Sequence, residues 1–202
     1  GWENLEIHRR FTAVEPIAVR TELGDPRALE LADLNHDGLL DVITAQWDSD
    51  EVQAYLGVDE AGTLWWNNPV ATSFGAARDV AVADMNGDGL LDVLGAAVGQ
   101  DAVRWWQNGG QALPTWTART IVSSFNGAHR VEPADFDGDG DIDVAVAAFD
   151  GDRVEWVENE NGAGTAWDRN LLHMLNGAFD LAVADFNADG KPDLAATGYN
   201  AD

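Results

Sequence analysis

The chain has 202 residues, of which 36 are acidic and 11 basic, so its formal net charge is −25 at pH 7. This charge argues against nucleic-acid binding, which needs a basic face to displace counterions, and against docking on anionic membranes. Membrane insertion is also excluded, since no apolar run approaches the roughly 18 residues of a membrane span. The absence of cysteine removes disulfides, zinc–thiolate sites, iron–sulfur clusters and cysteine nucleophiles.

A nine-residue acidic block occurs four times along the chain. It reads DLNHDGLLD, DMNGDGLLD, DFDGDGDID and DFNADGKPD. We call the four copies loops 1 to 4: Asp33–Asp41, Asp84–Asp92, Asp135–Asp143 and Asp185–Asp193. Their first aspartates are 51, 51 and 50 residues apart. A period this constant indicates an internal repeat, with units at about 23–73, 74–124, 125–174 and 175–202, the last of them incomplete.

The N-terminal segment has the pattern of an outer strand. Trp2 and Ile7 have the same five-residue spacing as Trp116 and Ile121 in the second unit. We therefore predict that residues 1–8 form an outer strand that completes the last blade, and that residues 9–22 are an insertion the other units lack.

Within each unit, apolar residues alternate or run over five to seven residues, in stretches such as DVAVAD and DRVEWVEN, between clusters of Gly, Asp and Asn. This pattern predicts about four short strands in each unit of about 50 residues, the size of one propeller blade. No stretch shows sustained helical spacing with caps. The predicted fold is all-β: a single propeller or propeller segment over residues 1–202, with about four four-stranded blades and one acidic loop in each.

The ends of this arrangement do not close neatly, because one strand is still missing from a ring of four blades. Three arrangements stay open: a fragment of a larger ring, an assembly of several copies, and a small closed ring with one irregular blade. An open blade edge would invite self-association or pairing with another protein.

Each acidic loop has the ligand pattern of a calcium site. Oxygen-bearing side chains stand at positions 1, 3, 5 and 9, position 7 offers its backbone carbonyl, and the glycine at position 6 permits a sharp bend. Calcium prefers six to eight such oxygens. The predicted ligands are Asp33, Asn35, Asp37, Leu39 and Asp41; Asp84, Asn86, Asp88, Leu90 and Asp92; Asp135, Asp137, Asp139, Asp141 and Asp143; and Asp185, Asn187, Asp189, Lys191 and Asp193. Leu39, Leu90, Asp141 and Lys191 would bind through their carbonyls.

Three other interpretations of the loops are less favoured. An EF-hand needs a glutamate at position 12 and flanking helices, but position 12 holds Thr44, Gly95, Val146 and Ala196. Acidic turns that bind nothing are common, yet four copies with the same five constrained positions argue against them. Magnesium prefers fewer protein ligands and keeps its waters. We therefore expect about four Ca²⁺ ions in structural sites.

The block, with a Phe-Gly or Asn-Gly-Ala stretch about ten residues before it, resembles the FG-GAP/VCBS repeat family. That family includes integrin α-subunit propellers and many bacterial surface and secreted proteins. The resemblance covers residues 23 to 202 and implies a β-propeller with calcium between the first two strands of each blade. The chain departs from the family in blade count, since seven blades are usual.

The sequence favours a non-catalytic protein. Its four histidines share no repeat position, no Gly-x-Ser-x-Gly elbow is present, and the carboxylates are committed to the loops. One hypothesis is a calcium-stabilised scaffold, adhesion or self-assembly module. The alternative is a calcium-dependent carbohydrate-binding propeller, with sugar rings stacked on Trp47, Tyr55, Trp65 and Trp66, which depart from the repeat pattern. A polysaccharide lyase is a third and weaker hypothesis.

The expected calcium affinity also indicates a compartment. Extracellular calcium modules bind with Kd of about 10⁻⁴–10⁻³ M. Cytosolic calcium would leave such sites empty, so we expect an extracellular, secreted or cell-surface protein.

Overall fold

Every regular element in the part of the chain that the structure describes is a β-strand. The computed structural model describes residues 5–8, 16–20 and 24–200. The strands are β1 (Leu5–His8), β2 (Pro16–Arg20), β3 (Pro26–Ala32), β4 (Asp41–Gln46), β5 (Glu51–Gly57), β6 (Trp65–Ala71), β7 (Ala77–Ala83), β8 (Asp92–Ala97), β9 (Ala102–Asn108), β10 (Trp116–Val122), β11 (Ala128–Ala134), β12 (Asp143–Ala148), β13 (Arg153–Asn159), β14 (Trp167–Met174), β15 (Ala178–Ala184) and β16 (Asp193–Gly198). No helix in the described ranges is long and apolar enough to cross a membrane.

The strands form repeated antiparallel sheets in chain order. Blade 1 is β3–β6, blade 2 is β7–β10 and blade 3 is β11–β14, and each joins neighbouring strands in sequence. The last sheet, β15–β16, is two-stranded, and we call it blade 4. This arrangement confirms the all-β fold with four-stranded repeating blades and a propeller-like architecture. Each acidic loop connects the first strand of a blade to the second, so its position 9 is the first residue of that second strand.

The N-terminal strand differs from its predicted place. Within the described residues, Leu5–His8 pairs antiparallel with Pro16–Arg20 in a separate two-stranded sheet, and β15–β16 has no third strand. The structure thus puts a strand into the predicted insertion, and the described residues do not show Leu5–His8 completing the last blade. Pairing of two segments close in sequence has a lower loop-closure cost than pairing with a sheet at the other end of the chain.

The hydrophobic core lies between neighbouring blades. One buried cluster joins blade 1 residues such as Leu34 and Ile43 to Phe74 and Trp106 of blade 2, and the next cluster joins blades 2 and 3. The second strands β4, β8 and β12 are buried along their whole length. Small valines and alanines on these strands let adjacent sheets approach closely.

The first strands of neighbouring blades are linked by polar contacts. Asp79 on β7 accepts hydrogen bonds from the Val131 backbone N–H and from Arg130 Nη1 on β11, both at 2.9 Å. His129 Nδ1 lies 2.7 Å from the Phe179 carbonyl on β15, and its Nε2 accepts from Arg78 Nε at 2.9 Å. Polar contacts therefore connect the first strands of blades 2, 3 and 4.

Blade 4 is uncovered on one side. Strand β16 is largely exposed, whereas the equivalent β12 is fully buried by its neighbour. At position 2 of the loops, Leu34 and Met85 are each 1% exposed because the next blade covers them, but Phe186 is 60% exposed. Tyr199, just after β16, is 73% exposed. In the described part of the chain, nothing occupies the place of a following blade.

Candidate metal centres

The acidic loops fold through hydrogen bonds from their own backbone. In loop 1, the Asp33 carboxylate accepts from the N–H groups of Asp37 at 3.1 Å and Gly38 at 2.9 Å. The Asp37 carboxylate then accepts from the Leu39 N–H at 2.8 Å. Loops 2 and 4 repeat all three contacts, and loop 3 repeats the contacts to positions 6 and 7. This geometry is encoded within nine residues, so every copy can form it alone.

Two positions in each loop adopt the left-handed backbone conformation. Position 6 is always glycine, as in Gly38 with φ of 85° and Gly140 with φ of 97°. Position 4 is also left-handed, although it holds His36 in loop 1 and Ala188 in loop 4. The sequence predicted the bend at position 6 and missed the one at position 4, because its side chain varies. The two bends together return the side chains of positions 1, 3 and 5 to one side of the loop.

Loop 3 brings its carboxylates close enough to share one cation. One oxygen each from Asp135, Asp137 and Asp139 lies within 4.8 Å of the others. Position 3 is asparagine in the other loops, and its amide oxygen takes the same place: Asn35 Oδ1 accepts the position 5 N–H at 3.1 Å, as Asp137 Oδ1 does at 3.0 Å. Amide oxygens as well as carboxylate oxygens are among the ligands that calcium takes in proteins.

The aspartate at position 9 also links its loop to the rest of the blade. Asp92 is fully buried, and its two oxygens accept the backbone N–H groups of Met85 at 3.0 Å and Asn108 at 2.8 Å. Asp41 and Asp143 make the equivalent pair of contacts. The carboxylate thereby ties position 2 of its loop to the third strand of its blade. A carboxylate has about four lone-pair sites, so these two hydrogen bonds leave others for a cation.

These buried carboxylates lack a compensating positive charge. Burial raises the pKa of Asp92 to about 7 and that of Asp41 to about 6, although the backbone hydrogen bonds oppose the shift; the neighbouring loop aspartates add to it. Among the described residues, no arginine or lysine forms an ion pair with a loop aspartate. A divalent cation in the loop would favour the ionised carboxylates. The donor set, its spacing and its charge therefore fit calcium.

The four candidate sugar-stacking aromatics are not brought together. Tyr55 lies in the core at 2% exposed, where its hydroxyl contacts Gln46 Nε2 at 3.2 Å, so its ring is not available for stacking. Trp47 lies under the Arg27 guanidinium at 5.3 Å. Trp65 donates its Nε1–H to the Gly62 carbonyl at 3.2 Å. The sequence grouped these residues by their departure from the repeat, which does not report which way a side chain faces.

Trp66 alone among the four faces an open cavity. Its side chain is 56% exposed and lines a 290 Å³ cavity beside loop 1. Asn35 and Asp37 of the loop and Leu113 of blade 2 line the same cavity. A ligand here would contact both an aromatic ring and the side chains of acidic loop 1.

The position 9 aspartates generate a testable pH dependence. In calcium-free protein, Asp41 and Asp92 bind a proton more tightly when folded than when unfolded, where an aspartate has a pKa of about 3.9. The free energy of unfolding should therefore fall as the pH rises from about 4 to about 7. We expect urea unfolding in the presence of a chelator to show greater stability at pH 5 than at pH 7.5.

Two features define the control for this experiment. Burial and the neighbouring Arg78 lower the pKa of His129, so this histidine by itself makes the free energy of unfolding rise with pH. Its effect is outweighed, because one imidazole acts against several carboxyl groups whose pKa values are raised. Added calcium should remove the part of the fall that comes from Asp41 and Asp92, whereas Asp79, whose pKa burial raises to about 6 outside the loops, keeps its share. A calcium-free protein that becomes more stable from pH 5 to pH 7.5 would contradict the assignment.

A repeat-family model matches three overlapping parts of the chain. A model of the FG-GAP-like repeat matches residues 33–95, 84–146 and 135–196, which together span well over half of the chain. No curated protein sequence matches it.

Two solved structures share the fold at low identity. A lectin of Agrocybe aegerita, described as specifically recognising non-reducing terminal N-acetylglucosamine, aligns with a TM-score of 0.57 and 20% identity over 97% of this chain and 52% of its own. A Lactobacillus plantarum protein aligns with a TM-score of 0.56 and 16% identity over 84% of this chain and 48% of its own. The chain spans about half the length of each. On the three repeat matches and the repeated blades, the chain belongs to the FG-GAP-like repeat family.

Proposed function

We propose that this chain is a non-catalytic, calcium-stabilised propeller module that acts outside the cytosol as a scaffold and associates with other β-sheets through blade 4. The observation that carries the calcium assignment is the set of four equivalent loops whose carboxylates lack a cationic partner among the described residues. The residues that would hold calcium are those at positions 1, 3, 5, 7 and 9. Bound calcium would neutralise carboxylate repulsion there and fasten the first strand of each blade to the second.

The energy of such binding explains why the sites would matter. With Kd of about 10⁻⁴–10⁻³ M, a site at tenfold calcium excess adds about 1.4 kcal/mol to the free energy of unfolding. Four sites would add about 5–6 kcal/mol, comparable to the whole net stability of many domains. This dependence on millimolar calcium supports an extracellular, secreted or cell-surface location.

The histidines support a non-catalytic role. Both ring nitrogens of His129 are engaged in the contacts between first strands. His36 occupies the outer bend of loop 1, and His173 lies on the outer strand β14. None of these three lies beside a nucleophile in a described contact.

Calcium titration tests the metal assignment. Isothermal titration of calcium-free protein should give about four sites, and Asp88→Ala should remove one of them and about 1.4 kcal/mol of calcium-dependent stabilisation. Asp48→Ala is the matched control, because Asp48 is an exposed aspartate outside the loops. Absence of binding heat and of any rise in Tm at about 10 mM calcium, ten times the weakest expected Kd, would refute the assignment.

Solution mass tests the association through blade 4. The exposed Phe186 and Tyr199 lie where a following blade covers the equivalent residues of other units. Light scattering in calcium should therefore give a multiple of 21.7 kDa, and Phe186→Ser with Tyr199→Ser should return the mass to 21.7 kDa. The control replaces Leu171 and Leu172 with serine, since both are exposed on β14 away from this face. Equal masses for all three proteins would exclude blade 4 as the interface.

A carbohydrate-binding function is the second candidate, favoured by the lectin neighbour and by the cavity under Trp66. An exposed indole beside a metal loop presents an apolar face to a sugar ring and oxygen atoms to its hydroxyls. N-acetylglucosamine-terminated glycans on an array are the first probe. Trp66→Ala should abolish any binding, and Tyr199→Ala, which removes an exposed aromatic on another blade, should not. Absence of binding by the unaltered chain, or its survival in Trp66→Ala, would exclude this site.

A further inference from the structure

Two buried asparagines connect neighbouring acidic loops. Asn108 ends the third strand of blade 2 and is 2% exposed. Its Nδ2 donates to the Leu34 carbonyl of loop 1 at 2.8 Å and to the Leu91 carbonyl of loop 2 at 3.0 Å. Both hydrogens of the amide are thereby used, and Oδ1 accepts the Gly110 N–H at 2.9 Å. One side chain thus joins position 2 of one loop to position 8 of the next.

Blade 3 repeats the connection. Asn159 is 1% exposed, and its Nδ2 donates to the Met85 carbonyl of loop 2 at 3.2 Å and to the Ile142 carbonyl of loop 3 at 3.3 Å. Its Oδ1 accepts the Gly164 N–H at 3.1 Å. In both blades the amide donates to the carbonyls of position 2 in one loop and position 8 in the next, so this connection is repeated between blades.

The position 9 aspartates make these contacts continuous. The Leu34 peptide donates its N–H to Asp41 and accepts at its carbonyl from Asn108, whose backbone N–H donates to Asp92. The Met85 peptide repeats this step between Asp92 and Asn159, and the Asn159 N–H donates to Asp143. A chain of buried hydrogen bonds therefore runs through loops 1, 2 and 3.

This series of hydrogen bonds begins at loop 1 and ends at loop 3. Gly57 stands at the blade 1 position equivalent to Asn108; it keeps the backbone contact to Asp41 but has no amide, and a Cβ there would lie 2.9 Å from the Leu40 carbonyl. In blade 4, no third strand is present among the described residues, so no amide joins loop 3 to loop 4. Loop 4 thus serves as an internal reference, with the same predicted ligand pattern and, among the described residues, no asparagine amide that joins it to another loop.

We infer that calcium binding is cooperative among loops 1, 2 and 3 through Asn108 and Asn159, and independent at loop 4. This inference rests on the proposed calcium binding. A cation in loop 1 would draw positions 1 and 3 inward and restrain the carbonyl of position 2 between them. Through Asn108 that restraint reaches position 8 of loop 2, between its ligands at positions 7 and 9. A loop already ordered loses less conformational entropy when it binds, so the second ion binds more tightly.

The position 6 glycines provide one reporter for each loop. The backbone N–H groups of Gly38, Gly89, Gly140 and Gly190 donate to the position 1 aspartates of loops 1 to 4. Their amide resonances in nitrogen–proton correlation spectra should therefore respond to calcium loop by loop. In the unaltered chain, Gly38, Gly89 and Gly140 should titrate together and steeply, and Gly190 should follow its own non-cooperative curve.

Asn108→Gly tests the connection, because it gives blade 2 the residue that blade 1 has naturally. The calcium midpoint of Gly38 should rise about fivefold or more and lose its steepness, while Gly89 and Gly140 remain coupled and Gly190 is unchanged. Asn67→Gly, at an exposed position of β6, is the control for replacing a strand asparagine by glycine. Unchanged midpoints and steepness in Asn108→Gly would overturn the inference.

A second variant covers the case in which Asn108→Gly does not fold. Asp88→Ala disables loop 2 and leaves both asparagines in place; it should raise the midpoints of Gly38 and Gly140 and leave Gly190 unchanged. Midpoints of Gly38 and Gly140 that are unchanged by the loss of loop 2 would overturn the coupling and leave calcium binding at the other loops standing. If no glycine responds to about 10 mM calcium, the calcium proposal itself fails, and the coupling with it.

Discussion

The architecture of this protein depends on one buried carboxylate in each of blades 1 to 3. The aspartate that begins each second strand accepts a backbone N–H from its own loop and, in blades 1 to 3, another from the third strand. A buried carboxylate in this position is costly without a positive charge near it. The same group that closes the loop therefore leaves a buried negative charge that the proposed calcium ion would compensate.

The charge of the chain follows from this arrangement. Aspartates of the four loops form a large part of its 36 acidic residues, and the arginines lie mostly elsewhere, in contacts with aromatic rings and with glutamates of the blades. Arg169, for example, pairs with Glu155 on the neighbouring strand and lies 5.1 Å above the Phe125 ring. Positive charge thus stabilises the sheets, while the loop aspartates form no ion pair among the described residues.

Contacts between blades make the two ends of the blade array different. Blades 2 and 3 each cover the position 2 side chain of the preceding loop and donate an asparagine amide to its carbonyl, as Asn108 does for Leu34 and Asn159 does for Met85. Because the contact always runs from a later blade to an earlier one, the two ends of the array differ. At the blade 1 end, Gly57 has no side-chain amide to donate; at the blade 4 end, Phe186 and Tyr199 are exposed to solvent.

The sequence by itself determined the repeat period, the all-β class, the blade size, the family and the residue pattern of the acidic loops. These follow from local chemistry, since the strand pattern and the side-chain-to-backbone hydrogen bonds of a loop lie within nine or fewer residues. Only the tertiary structure decided that Tyr55 is buried and Trp66 exposed, that Leu5–His8 pairs with Pro16–Arg20, and that Asn108 and Asn159 connect the loops. Those features depend on contacts between distant residues, such as the 74-residue separation between Asn108 and Leu34. An asparagine at the end of a strand has the same local pattern whether it faces water or a neighbouring blade, so its role is set by packing alone.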